Sequence, residues 1–211
     1  MEQETTKTTP THHDLEDEPE HEPEVKKTKT HETIPTAFTG AFLAGLTVLM
    51  AVSGVLPAPY ALMFPPWAVF ITWAGYFAAG GGGKGQAVPV WKKMYVAIAW
   101  GVIWGFAGAY LMNIFNPMVG SNLGLMLLID GIIIFLVNQP ILWGTRWWGP
   151  IKYTPAIFYG FAIFFSTYFG GFGFIPGNIF AAAITAYVAA AIGPLFGYLQ
   201  VRFAMIREVP A

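Results

Sequence analysis

The stretch PPWAVFITWAGYFAAGGGGKG, residues 65–85, decides how this chain is read. It opens on two prolines, runs through aromatic and aliphatic residues without a charge, and closes in four glycines before Lys84. Proline suits the first turn of a helix, where its missing N–H is not needed, and glycine suits the end. The expected element is an apolar helix with sharp limits at both ends. A looser copy, PAIFYGFAIFFSTYFGGFG, returns at residues 155–173. The two stretches read as the second helices of two three-helix halves embedded in a lipid bilayer.

Composition points the same way. The 211 residues are 55% hydrophobic and 11% charged, against about 25% charged in a soluble domain. Residues 1–35 hold most of the acids and all four histidines. Beyond them the acids are Asp130 and Glu208, and the bases are Lys84, Lys92, Lys93, Arg146, Lys152, Arg202 and Arg207. The formal net charge of −1 therefore averages an acidic tail with a mildly basic body and names no partner. The absence of cysteine excludes disulfides, thiolate metal ligands and cysteine nucleophiles.

Residues 1–35 are rich in Glu, Thr, His, Lys and Pro. They bury too little apolar surface to offset their ordering entropy, so a disordered acidic cytoplasmic tail is expected. The segment is too polar and acidic for a secretory signal, which leaves the first apolar helix to direct insertion. His12, His13, His21 and His31 match no compact ligand spacing, so no metal site is expected.

Six apolar segments follow, at about Thr36–Leu56, Leu62–Gly80, Met94–Phe115, Asn122–Leu142, Tyr153–Gly171 and Asn178–Gln200. Each is near the roughly 20 residues that a helix needs to cross the hydrocarbon core. The expected fold is an all-α integral membrane protein with six transmembrane helices over residues 36–200, arranged as two inverted three-helix repeats. Residues 201–211 are a short cytoplasmic C-terminus. The bases test this segmentation. They fall in the linkers 81–93 and 143–152 and beside both ends, and the linkers at 57–61, 113–121 and 172–177 carry no charge. The positive-inside rule then puts both termini on the cytoplasmic side of the cell (plasma or inner) membrane. Trp91, Trp143, Trp147 and Trp148 beside the basic ends, with Trp67 opposite, suit an interfacial aromatic belt. Trp73, Trp100 and Trp104 sit deeper, as packing residues.

The halves echo each other. Tyr76, Phe77, Gly80 and Gly81 answer Tyr168, Phe169, Gly170 and Gly171, while Gly108, Tyr110 and Leu111 answer Gly197, Tyr198 and Leu199. Three spans per half oblige the second to enter from the opposite side, an arrangement that puts solute sites near the midplane. Shared membrane composition would also produce such echoes. Small residues recur at four-residue spacing in Gly40/Ala44, Ala41/Gly45, Gly101/Gly105, Gly120/Gly124 and Gly193/Gly197. Such pairs let backbones approach closely, within one subunit or in a homo-oligomer.

Asp130 is the one acid inside the membrane body. A charged Asp near the bilayer centre costs about 2.5–3.5 kcal/mol even on the lenient scale. Two readings stand: a proton-coupling or solute-binding carboxyl, or a neutral Asp bonded to a neighbouring helix. Asn138 and Gln139 extend a polar path from it or serve backbone groups freed by Pro140. Thr72, Tyr76, Ser166 and Thr167 sit on the two proline-to-glycine helices, where they line a solute path or bond their own helix. The run Gly80–Gly83 with Lys84 is not a phosphate loop, since Ala78 and Gly85 break the required pattern. No catalytic set, cofactor motif or basic nucleic-acid stripe stands in the body, so neither an enzyme nor a nucleic-acid partner is expected.

WAVFITWAGYFAAGGGGKG (residues 67–85), the tryptophans Trp100 and Trp104 on the next helix, PAIFYGFAIFFSTYFGG (155–171) and AAIGPLFGYL (190–199) together resemble a family of small bacterial inner-membrane proteins. That family carries only a domain-of-unknown-function label. The resemblance spans residues 36–200 and implies a multi-span inner-membrane protein without assigned residues. Two functions fit, the first as the expected one and the second as its alternative. One is a channel or transporter for a small polar or weakly ionised solute. The other is a non-transporting scaffold or accessory subunit that holds a cytoplasmic partner through the tail. A polar cavity reaching Asp130 between the halves would favour the first, and a dry, close-packed interior the second.

Overall fold

The computed structural model describes residues 28–31, 33–52, 65–82, 90–204 and 207–210. Six helices carry the described chain: α1 Thr36–Val52, α2 Pro66–Ala78, α3 Val90–Phe115, α4 Leu123–Trp147, α5 Thr154–Phe169 and α6 Ile179–Ala204. Two short strands, β1 Thr28–His31 and β2 Arg207–Pro210, pair antiparallel with His31 opposite Arg207. The ribbon adds strand to an otherwise helical architecture. It also takes four residues of the expected tail into regular backbone pairing, whereas residues 1–27 and 32 lie outside the described residues.

Among the described residues three helices are long and apolar enough to cross a membrane: α3 with the turn that follows it (Val90–Val119), α4 and α6. The other three have 17, 13 and 16 residues, short of the ~20 expected for each. Their limits have local causes. Pro66 at the first helical position starts α2, and Gly80 at φ 80° and Gly82 at φ 94° prevent its continuation. Pro155 stands in the first turn of α5, and Gly171 at φ 70° follows its end. The longer helices outrun their apolar cores. α4 carries Arg146 in its last turn and α6 carries Arg202, and Lys92 and Lys93 sit in the first turn of α3. Long basic side chains let such ends stay helical while their charges remain in polar surroundings.

The four inner helices meet in two matching seams. α3 packs most extensively on α5, and α2 on α6. A Cβ on Gly101 would collide with the carbonyl oxygen of Ile157 and stand 2.8 Å from the nitrogen of Phe161. A Cβ on Gly193 would collide with the carbonyl oxygen of Val69 and stand 2.6 Å from the nitrogen of Trp73. One turn on, Gly105 would meet Phe164 Cβ at 3.2 Å and Gly197 would meet Tyr76 Cβ at 3.1 Å. The register differs from the sequence expectation. Tyr76 corresponds to Phe164 rather than to Tyr168, and Gly105 rather than Gly108 corresponds to Gly197, because contact with the opposing backbone sets the match.

Exchanging α1–α3 with α4–α6 also carries the α1–α6 packing onto α4–α3. The exchange is less close at α2–α3, which touch much less than α5–α6. Within each seam the helices run in the same direction, and the two seams run opposite ways. One face of the molecule gathers the start of α1 with the end of α6 (Thr33 N to Ala204 O, 3.1 Å). The end of α2 joins them (Gly82 against Val201), as do the start of α3 (Trp91 ring 6.0 Å from Tyr198) and the start of α5 (Tyr153 Oη to Gly75 O, 3.1 Å). The other face joins Trp67 to Phe172, ring to ring at 6.4 Å, and Asn113 Nδ2 to Tyr168 Oη at 2.7 Å. Lys92, Lys93, Arg146, Lys152 and Arg202 all belong to the first face. The chain on the second, 113–122 and 170–178, carries no charged side chain.

Because the seams are equivalent, Gly101→Leu and Gly193→Leu should each destabilise by about 3 kcal/mol or more, the upper end of overpacking costs, since backbone cannot yield as a side-chain tip can. Gly131 faces open space, so Gly131→Leu should leave stability unchanged or slightly raised. Unfolding midpoints of the three variants in detergent, read by tryptophan fluorescence, check both expectations.

Candidate functional site

The side chains singled out from the sequence lie on three helices, and each follows its local chemistry. Thr72 is fully buried in the α2–α6 seam against Gly193, and its hydroxyl donates to Ala68 O at 3.0 Å and Val69 O at 3.2 Å. Tyr76 is buried one turn on, with its ring over Gly197 and Gly81. Ser166 is exposed, and its hydroxyl returns to Ala162 O at 2.9 Å. Thr167 is fully buried, and its Oγ1 has no hydrogen-bond partner. Asn138 donates from Nδ2 to Ile134 O at 2.8 Å. That carbonyl is not the one at Leu136 which Pro140 leaves without its helical donor.

Asp130 sits on α4, an outer helix whose buried residues are Ile133, Val137 and Ile141, and whose main neighbour is α3. It is partly buried, and its Oδ1 is shielded from solvent without a hydrogen-bond partner. Asp130 thus stands on a helix that takes no part in the α3–α5 and α2–α6 seams. Asn116 Oδ1 and the indole nitrogens of Trp91, Trp100 and Trp104 are likewise buried without partners. An unmade bond of this kind costs about 1–3 kcal/mol.

The residue that sequence reasoning passed over is Gln200, taken there only as the end of a segment. Its Oε1 accepts from Trp73 Nε1 at 2.9 Å, and its Nε2 donates to Thr36 O at 3.0 Å. Its main-chain oxygen accepts from Thr39 Oγ1 at 3.2 Å. One amide side chain and its own peptide carbonyl therefore join α1, α2 and α6. A polar residue near the end of an apolar helix was the signal available. Its partners lie more than 120 positions away in sequence, and no local pattern reveals them.

A cavity of about 510 Å³ opens on the basic face. Ala79 at the end of α2, Lys93 and Met94 near the start of α3, Pro150 in the 3-10 turn, and Lys152 and Tyr153 before α5 line it. Met94 is fully buried, and both lysines are exposed. No ion pair involves either lysine among the described residues. The Tyr153 hydroxyl donates to Gly75 O and so pins the start of α5 to α2.

Among the described residues no group of three or more histidine, aspartate or glutamate side chains stands where it could hold a metal. A sequence model of the family described as "Protein of unknown function (DUF1097)" matches residues 37–205, and the chain belongs to that family. No curated protein and no solved structure matches it.

Gln200→Leu, which strands the Trp73 indole N–H, should lower stability by about 1–3 kcal/mol. Asn138→Ala, which removes a bond within one helix, should stay within about 0.5 kcal/mol of the parent. Chemical unfolding of both variants in mixed micelles reads the difference.

Proposed function

We propose that this family member is a six-span protein of the inner membrane, built of two oppositely directed three-helix halves. Both chain ends and the basic face are on the cytoplasmic side. In this reading it is a non-transporting component that holds a cytoplasmic partner through its acidic N-terminal segment. The packing between the halves carries the functional part. At Gly101 and Gly193 one helix rests directly on the backbone of another, and interiors packed in this way are dense and transmit strain. Thr72 and Ser166 commit their hydroxyl protons to their own helices, and Thr72 is fully buried in a seam. Asp130 stands aside from the seams.

The six-span topology draws support from the charge distribution over the two faces and from the β1–β2 pairing, which brings both chain ends to one side. The shorter α1, α2 and α5 fit a bilayer that thins locally or meets snorkelling side chains, at fractions of a kcal/mol per Å of mismatch. Since the chain has no cysteine, single cysteines at Ser121 and at Thr145 report sidedness directly. A membrane-impermeant maleimide applied from outside should label the first and not the second. The reverse pattern, or labelling of both, removes the orientation.

The exchange symmetry of the halves favours a second reading, a channel or transporter for a small polar or weakly ionised solute, because inverted repeats commonly frame a solute site. Its seams would have to part. Proteoliposomes separate the two. The expected result is permeability to glycerol, urea and acetate equal to that of protein-free vesicles, for the wild type and for a variant lacking residues 1–27. A saturable flux that Asp130→Ala abolishes in a folded protein would establish the solute pathway instead.

A further inference from the structure

We propose that the cavity on the basic face is a binding site for a phosphate-bearing anion, drawn either from a phospholipid headgroup or from a soluble phosphate ester. Its volume of about 510 Å³ falls in the range of roughly 300–1,000 Å³ that small-ligand sites occupy. It exceeds what a bare phosphate needs and leaves room for the ester's organic part. The walls differ in character. Met94 and Ala79 give an apolar floor, whereas Lys93 and Lys152, both exposed, line the cavity from different segments of the chain.

Neither lysine forms an ion pair among the described residues. Between residues 33 and 204 the chain has a single acid, Asp130, and it sits well inside α4 while the cavity lies at the end of the bundle. Two ammonium groups on one cavity repel each other, and an anion between them removes that repulsion while accepting their hydrogen bonds. The frame is preformed. Tyr153 is tied to Gly75 O, and the turn before it is closed by Ile151 N to Trp148 O at 3.1 Å and Lys152 N to Gly149 O at 3.3 Å. The backbone that presents Lys152 is thus held before any ligand arrives. Lys92, next to Lys93, points elsewhere, with its Nζ 5.3 Å from the Trp91 ring centre. The cavity also opens on the face where the bases collect. Basic pockets between membrane helices on that side are where anionic headgroups are recognised. The site stands whether or not the halves part for a solute.

Full-length protein purified in a neutral detergent provides the test, with native mass spectrometry for lipid binding and calorimetry for sn-glycerol 3-phosphate. Wild type and Lys92→Gln should retain phosphatidylglycerol in preference to phosphatidylcholine or bind glycerol 3-phosphate, and agree with each other within about twofold. The double variant Lys93→Gln/Lys152→Gln should bind at least tenfold more weakly, because it removes both charge-assisted contacts to the anion. Lys93→Arg/Lys152→Arg should restore binding. Retention of the lipid without binding of the soluble ester assigns the headgroup as the source, and binding of the ester with displacement of the lipid assigns a soluble ligand. Equal binding by wild type and the glutamine double variant, or no preference for phosphatidylglycerol together with no ester binding, overturns the proposal.

Discussion

Everything in this molecule is built around two places where a helix lies on the bare backbone of another. In lipid the hydrophobic effect gives helices no reason to associate, so close van der Waals contact has to supply it. Gly101 against Ile157 and Gly193 against Val69 supply it twice, by the same geometry. The flanking side chains follow. Phe164 and Tyr76 fill the next turn opposite Gly105 and Gly197, and Met94, Ile98, Ala186 and Ala190 are fully buried around them. α1 and α4 then lie outside this four-helix core. α4 rests chiefly on α3 through Ile133 and Val137, and Leu127, Leu128, Phe135 and Leu136 remain exposed for lipid to cover.

A core of that kind leaves polar groups few options. Most hydroxyls and amides return to their own helix, as at Thr47, Thr72, Asn138 and Ser166. Asn113 with Tyr168, and Tyr153 with Gly75, reach across to other helices, and Gln200 joins three, close to the strands that bring the chain ends together. The polar organisation of the protein therefore concentrates at the basic end: the Gln200 node, the β1–β2 ribbon, the Tyr153–Gly75 bond and the lysine-rimmed cavity all belong to it. The middle of the bundle is apolar apart from a few groups such as Asp130 Oδ1 and the Thr72 hydroxyl.

Local rules made the helices and their order legible. Pro65 and Pro66 announced the start of α2, the glycines from Gly80 its end, and the spacing of Lys92, Lys93, Arg146, Lys152 and Arg202 the alternation of faces. Where the segmentation erred, the causes were also local. α4 and α6 continue into stretches that carry bases, and α2 stops sooner than an apolar count suggests. The candidate site was poorly legible. Asp130, Thr72, Tyr76, Ser166, Thr167 and Asn138 were chosen for polarity in an apolar setting, which marks a residue as unusual without saying what stands opposite it.

Composition, the placement of charge and the proline–glycine punctuation by themselves determined that this is a helical chain of membrane character with its bases on one face, because each depends on residues close together along the chain. Which glycines touch which backbones, that Tyr76 answers Phe164 and not Tyr168, that Asp130 stands outside the seams, and that Lys93 and Lys152 share a cavity were decided only by tertiary structure. Those facts depend on the rotation and depth at which distant helices meet, and a side chain's own sequence surroundings do not encode either.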